Sequence, residues 1–91
     1  MTPKAAGDGA TRYAALGSGH VLREVTPDGR YVTLEDGSRW EVHPRDRFQT
    51  ADWEISANMA VRTTRAEDAY EYELVNTQAD EGVLARFAPR R

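Results

Sequence analysis

Two Asp-Gly dipeptides, Asp28-Gly29 and Asp36-Gly37, punctuate a run of short β-prone segments between Gly19 and Val42. Asp-Gly supplies the left-handed backbone that tight hairpin turns demand, so each dipeptide marks a chain reversal between strands. Together they write a three-stranded meander. The feature constrains fold class strongly and function hardly at all: it describes a small, soluble, all-β domain.

The first reversal, Thr26-Pro27-Asp28-Gly29-Arg30, reads as a three-residue loop closing into a bulge, with Thr26 opposite Arg30. The second leaves two registers open. A two-residue turn on Asp36-Gly37 pairs Thr33 with Trp40. A bulged loop over Glu35-Asp36-Gly37 instead pairs Val32 with Trp40 and gathers Val32, Leu34, Trp40 and Val42 on one face. Burying four apolar groups together favours the bulged register. It also leaves Glu24 on the face of Leu22, which predicts a further bulge in the first strand.

Beyond His43 the alternation stops. Pro44 to Gln49 reads as one short helical turn with Pro at its start and Phe48 facing inward. A crossing loop, 50–57, carries Trp53 and Ile55. Strands are expected at 58–64, 69–76 and 82–88, which makes five or six in all and points to a small barrel. Its core draws on Val21, Leu22, Val25, Val32, Leu34, Trp40, Val42, Phe48, Trp53, Ile55, Met59, Val61, Tyr72, Leu74, Val75, Val83, Leu84 and Phe87. Either the first strand or 69–76 is expected at an edge, open to pairing with another chain.

A chain of 91 residues makes one domain. It has no cysteine, which excludes disulfides and thiolate chemistry, and two histidines alone leave no zinc-ligand spacing. No apolar run approaches the roughly 18 residues a membrane span needs. Residues 1–18 hold five Ala, three Gly and only Tyr13 and Leu16 as bulky apolar groups. They read as a disordered tail ahead of a barrel domain at 19–91, because they cannot bury enough surface to offset ordering. They also lack the apolar core of a secretory signal. The chain is therefore expected in the cytoplasm as it stands, or outside it if a leader has been removed.

The run Val32 to Val42, then Pro44 and Asp46, Trp53, Tyr72-Glu-Leu-Val-Asn76 and Ala85-Arg-Phe87 resembles a group of small bacterial β-barrel proteins. Their pattern is a D-G-S-x-W-x-V hairpin, a P-x-D turn, a Trp-containing loop and a Y-x-L-x-N strand. The likeness covers residues 19–88. This chain has Ser56-Ala57-Asn58 where the pattern places Gly-Asp. The resemblance implies an SH3-like barrel, often in exported proteins, and brings no activity or catalytic residues with it.

Candidate sites follow from residue chemistry. Tyr31, Trp53, Tyr70 and Tyr72 form an aromatic strip suited to gripping a protein or peptide, as aromatic rings do in peptide-binding barrels. Core roles for Trp40 and Tyr72 compete with that reading. Arg39, Arg45 and Arg47 with Trp53 make the alternative, a nucleic-acid surface that stacks bases and neutralises phosphates; Arg62 and Arg65 would extend it. Glu41, Asp46, Asp52 and Glu54 interleave with these cations, and a net charge of −3 weighs against nucleic acid. His43 with Asp46 and Asp52 is the one imaginable acid–base group, and Ser38 lies in a turn rather than a nucleophile setting. Asp28, Glu35 and Asp36 lack the spacing of a calcium loop. The expectation is a non-catalytic interaction module without metal or cofactor, its partner an unidentified protein.

Overall fold

The computed structural model describes residues 13–67 and 69–89. Six antiparallel strands close into a barrel: β1 (Gly17–Val25), β2 (Tyr31–Leu34), β3 (Arg39–Val42), β4 (Asn58–Glu67), β5 (Tyr70–Asn76) and β6 (Glu81–Phe87). Their order around the wall is β1-β2-β3-β6-β5-β4, and β4 returns to pair with β1. Among the described residues no strand is left at an edge. The expected open edge at the first strand or at 69–76 is thus corrected: β1 pairs with β2 and β4, and β5 with β4 and β6. No helix among the described residues is long and apolar enough to cross a membrane.

The second hairpin follows the bulged register. Val32 pairs with Trp40, the Leu34 N–H bonds to the Ser38 carbonyl, and Gly37 takes a φ of 85°. Val32, Leu34, Trp40 and Val42 are all fully buried. The bulge expected in the first strand lies between Leu22 and Glu24.

The first reversal differs. Thr26 faces Tyr31 rather than Arg30, because the Thr26 N–H bonds to the Tyr31 carbonyl and the Tyr31 N–H returns to Thr26 Oγ1. Asp28 takes the Arg30 N–H inside a loop one residue longer than expected. Gly29 presses on the helical segment, where a Cβ would collide with the Arg47 carbonyl oxygen. That approach, with a φ of 77°, requires glycine.

Pro44–Asp46 makes a 3-10 turn that runs into one α-helical turn, α1 (Arg47–Thr50). Asp46 fixes it to the barrel by accepting the Leu84 N–H at 3.0 Å. Thr50 takes the inward position and is fully buried. At about 100° per residue, Phe48 then lies on the opposite side of the turn. Phe48 is 72% exposed and Ile55 55%, and Val21, Val75 and Leu84 are half-buried outside the core cluster, so all five leave the expected core. Ala57 and Ala85 join the interior instead, beside Leu22, Trp53, Met59, Val61, Tyr72, Leu74 and Val83.

The domain also begins earlier than expected. β1 starts at Gly17, and Tyr13 packs against the core. Residues 13–18 of the expected tail therefore pack with the barrel, while its remainder, 1–12, lies outside the described residues.

Candidate functional site

The outer wall of β2, β3 and β6 concentrates charge and aromatic surface. Strand pairing sets Tyr31, Glu41 and Arg86 side by side in one row, since Tyr31 pairs with Glu41 and Glu41 with Arg86. Glu41 points away from the core, yet is only 5% exposed, because guanidinium groups blanket it. Arg86 Nε donates to Oε1 at 2.8 Å, Arg30 Nε to Oε2 at 3.0 Å and Arg47 Nη2 to Oε2 at 3.4 Å. Arg47 also donates through Nε to the Val42 carbonyl. Burial pushes the Glu41 carboxyl pKa up, but the bonds from Arg86 and Arg30 outweigh it and hold the group below the usual range. Three cations thus share one anion.

Aromatic rings frame this cluster. The Arg39 guanidinium lies 3.8 Å from the centre of the Tyr31 ring and that of Arg30 5.0 Å, both within cation–π range. Tyr70 stands 5.9 Å from the Arg86 guanidinium and 4.7 Å from the His43 ring. Arg39 also reaches the Ala88 carbonyl.

A second cluster closes the barrel end that carries the β2–β3 turn. Tyr13 packs edge-on against Trp40, with ring centres 4.8 Å apart, and lies 5.4 Å from Phe87. Its hydroxyl donates to Asp36, and its backbone N–H donates to the Tyr72 hydroxyl. Burial and the bond to Asp36 together raise the phenol pKa well above its ordinary value. Beside it, the buried His20 places Nδ1 3.0 Å from Glu35 and Nε2 2.7 Å from the Ala15 carbonyl. A carbonyl and an ionised carboxylate only accept, so this pair of partners assigns a proton to each ring nitrogen. Burial works against the imidazolium, yet the bonds to Ala15 and Glu35 outweigh it and raise the His20 pKa. His20, Glu35 and Asp36 hold potential ligand atoms within 4.8 Å of one another. While both nitrogens are protonated the imidazole has no lone pair to give a metal.

The residues singled out in the sequence divide between surface and interior. Tyr31 and Tyr70 are half-buried on the outer face, but Tyr72 and Trp53 are buried, so the four do not share one exposed strip. The Trp53 indole N–H donates to Glu81 at 2.7 Å, at the wall of a cleft of about 340 Å³ that Asp52 and Glu54 also line. Of the arginines, Arg47 joins the Glu41 cluster and Arg39 lies beside it on the Tyr31 ring. Arg45 stays exposed, 3.9 Å from Asp46, and Arg62 pairs with Glu73 across β4 and β5. The imagined acid–base group is dispersed among other duties. His43 Nδ1 accepts the Arg45 N–H, Asp46 holds β6, and Asp52 lies at the Trp53 cleft. Ser38 donates to Asp36. Asp28 serves the first turn, apart from Glu35 and Asp36 in the second.

Sequence reading missed Arg30, Arg86, His20 and Tyr13. The signal for Arg86 was its alternation with the buried Ala85, which puts it on the outer wall. No comparable local signal marks Tyr13. No protein-family model, curated protein or solved structure matches the chain.

Proposed function

We propose that this chain is a non-catalytic interaction module, a small barrel of the SH3-like kind, that binds an acidic segment of another protein on its β2–β3–β6 face. Tyr31 and Tyr70 supply aromatic contact, while Arg30, Arg39 and Arg86 supply anion contact. The carrying observation is the three-to-one ratio of guanidinium groups to carboxylate at Glu41. The heads of Arg30 and Arg86 stay about half exposed, so they retain donors for an incoming carboxylate. The patch is a local positive exception on a chain of net charge −3, which is the charge pattern that steers an anionic partner to one face.

Nucleic acid is the less favoured partner, because base stacking needs an open ring. Trp53 is buried, and the Tyr31 ring already carries the Arg39 guanidinium. An NMR titration of the full chain with a Glu/Asp-rich peptide and, separately, with an oligothymidylate decides between them. The acidic peptide is expected to shift Tyr31, Arg39 and Arg86, and Arg39→Gln to weaken it. No shift at these residues with either probe overturns the proposal. Oligonucleotide binding about tenfold tighter than the peptide replaces it with the nucleic-acid reading.

A further inference from the structure

We propose that the barrel end bearing the β2–β3 turn is a socket for a 4-hydroxyphenyl group, the side chain of tyrosine, and that the chain's own Tyr13 fills it in cis. The socket lies apart from the outer face and stands whether or not that face binds a partner.

Its walls are complete without Tyr13. Trp40 packs edge-on to Tyr72 at 5.1 Å and lies 5.2 Å from Phe87. The Trp40 indole N–H is satisfied by Ser38 Oγ at 2.9 Å. Asp36, the hydroxyl acceptor, is oriented by the Ser38 N–H at 3.0 Å and the Ser38 hydroxyl at 2.7 Å. Trp40 and Phe87 therefore present a slot that suits the edge and face of a third ring, with the Tyr72 hydroxyl at its rim. A fixed carboxylate stands where a para-hydroxyl falls. An unsubstituted ring forfeits that charge-assisted bond, so the socket selects phenol over phenyl.

The segment supplying Tyr13 lies outside the strand ladder, which begins at Gly17. It is held by the Tyr13 contacts, by the N–H bond to Tyr72 and by His20 gripping the Ala15 carbonyl. A strap fixed through side chains can leave without unpairing a strand. It then opens the slot to a tyrosine from a second segment.

The test uses the full chain carrying Tyr13→Ala, titrated with p-cresol and with toluene while the Trp40 indole N–H resonance is followed. p-Cresol is expected to saturate a single site, about tenfold tighter than toluene, and to leave the wild-type Trp40 resonance unmoved at the same concentrations. A folded variant that ignores p-cresol, that takes toluene equally well, or whose response the wild type matches overturns the proposal. If the variant alone is unfolded, p-cresol must restore its near-ultraviolet dichroism, because a ligand of the native state favours folding. A chain that stays unfolded in excess p-cresol overturns the proposal as well.

Discussion

The hydroxyl of Tyr13 donates to the carboxylate of Asp36, 23 residues further along the chain. This bond ties the segment ahead of β1 to the turn between β2 and β3. Tyr13→Phe keeps the ring against Trp40 and Phe87 and removes only the hydroxyl. The expected loss is about 1 kcal/mol, or roughly 4–8 °C in Tm for a domain of this size. Denaturant titration of the two chains checks it, and an unchanged midpoint contradicts it.

His20 makes the same closure depend on pH. Its pKa in the fold is raised above the ordinary 6.5, so its contribution is fully present below that value. It is lost as pH rises through the raised value. The charged or titratable groups facing it are Glu35, Asp36 and the Tyr13 hydroxyl. The phenol pKa is raised well above its ordinary value. Wild type is expected to exceed His20→Gln in stability most below neutrality, with the gap narrowing into the alkaline range. A gap constant with pH rules this out.

Glu41 works in the opposite sense. Its pKa in the fold is lowered, so its contribution is present above the ordinary carboxylate value and is lost as pH falls through the lowered one. Glu41→Gln leaves Arg30, Arg47 and Arg86 without their shared anion. It is expected to destabilise by about 1–3 kcal/mol at neutral pH. The deficit should shrink in acid, where the wild-type carboxyl is itself neutral; chemical denaturation at several pH values reads it.

Two glycines with similar backbone should respond differently to alanine. Gly29 and Gly37 both have positive φ, but a Cβ at Gly37 meets nothing within 4 Å, whereas at Gly29 it strikes the Arg47 carbonyl. Gly37→Ala is expected to cost about 1 kcal/mol. Gly29→Ala should cost more than about 2 kcal/mol, because α1 has to move as well. Equal losses in a denaturation series contradict the contact.

Phe48 and Ile55 project into solvent. Phe48→Ser and Ile55→Ser are each expected to change stability by no more than about 0.5 kcal/mol. Trp40→Phe, inside the core, should cost well over that. A large loss at Phe48 points to a packed role that the geometry excludes.

The local signals were those of turns and alternation. Asp36-Gly37 set the bulge, the bulge set the register, and the register turned Trp40 inward, each step within a few residues of the last. The helical turn at Pro44 was equally legible, but not its rotation. One residue of phase decides whether Phe48 or Thr50 faces the core, and the Asp46 bond to the Leu84 N–H that sets the phase spans 38 residues. The Glu41 cluster was hidden for a related reason. Arg86 reaches it only because β6 inserts beside β3, out of sequence order. Tyr13 was the least legible residue, a single ring among small residues whose partners lie on β2–β3, β5 and β6.

Pairing of β4 back to β1 has a consequence for recognition. Among the described residues each wall strand pairs with a neighbour on both sides, so the sheet offers a visiting peptide fewer open amides than an open sheet would. Recognition of the kind proposed above is then carried by side chains, at the tyrosine and arginine wall or at the ringed mouth. Sequence change at those few positions would then redirect its choice of partner while the scaffold stayed the same.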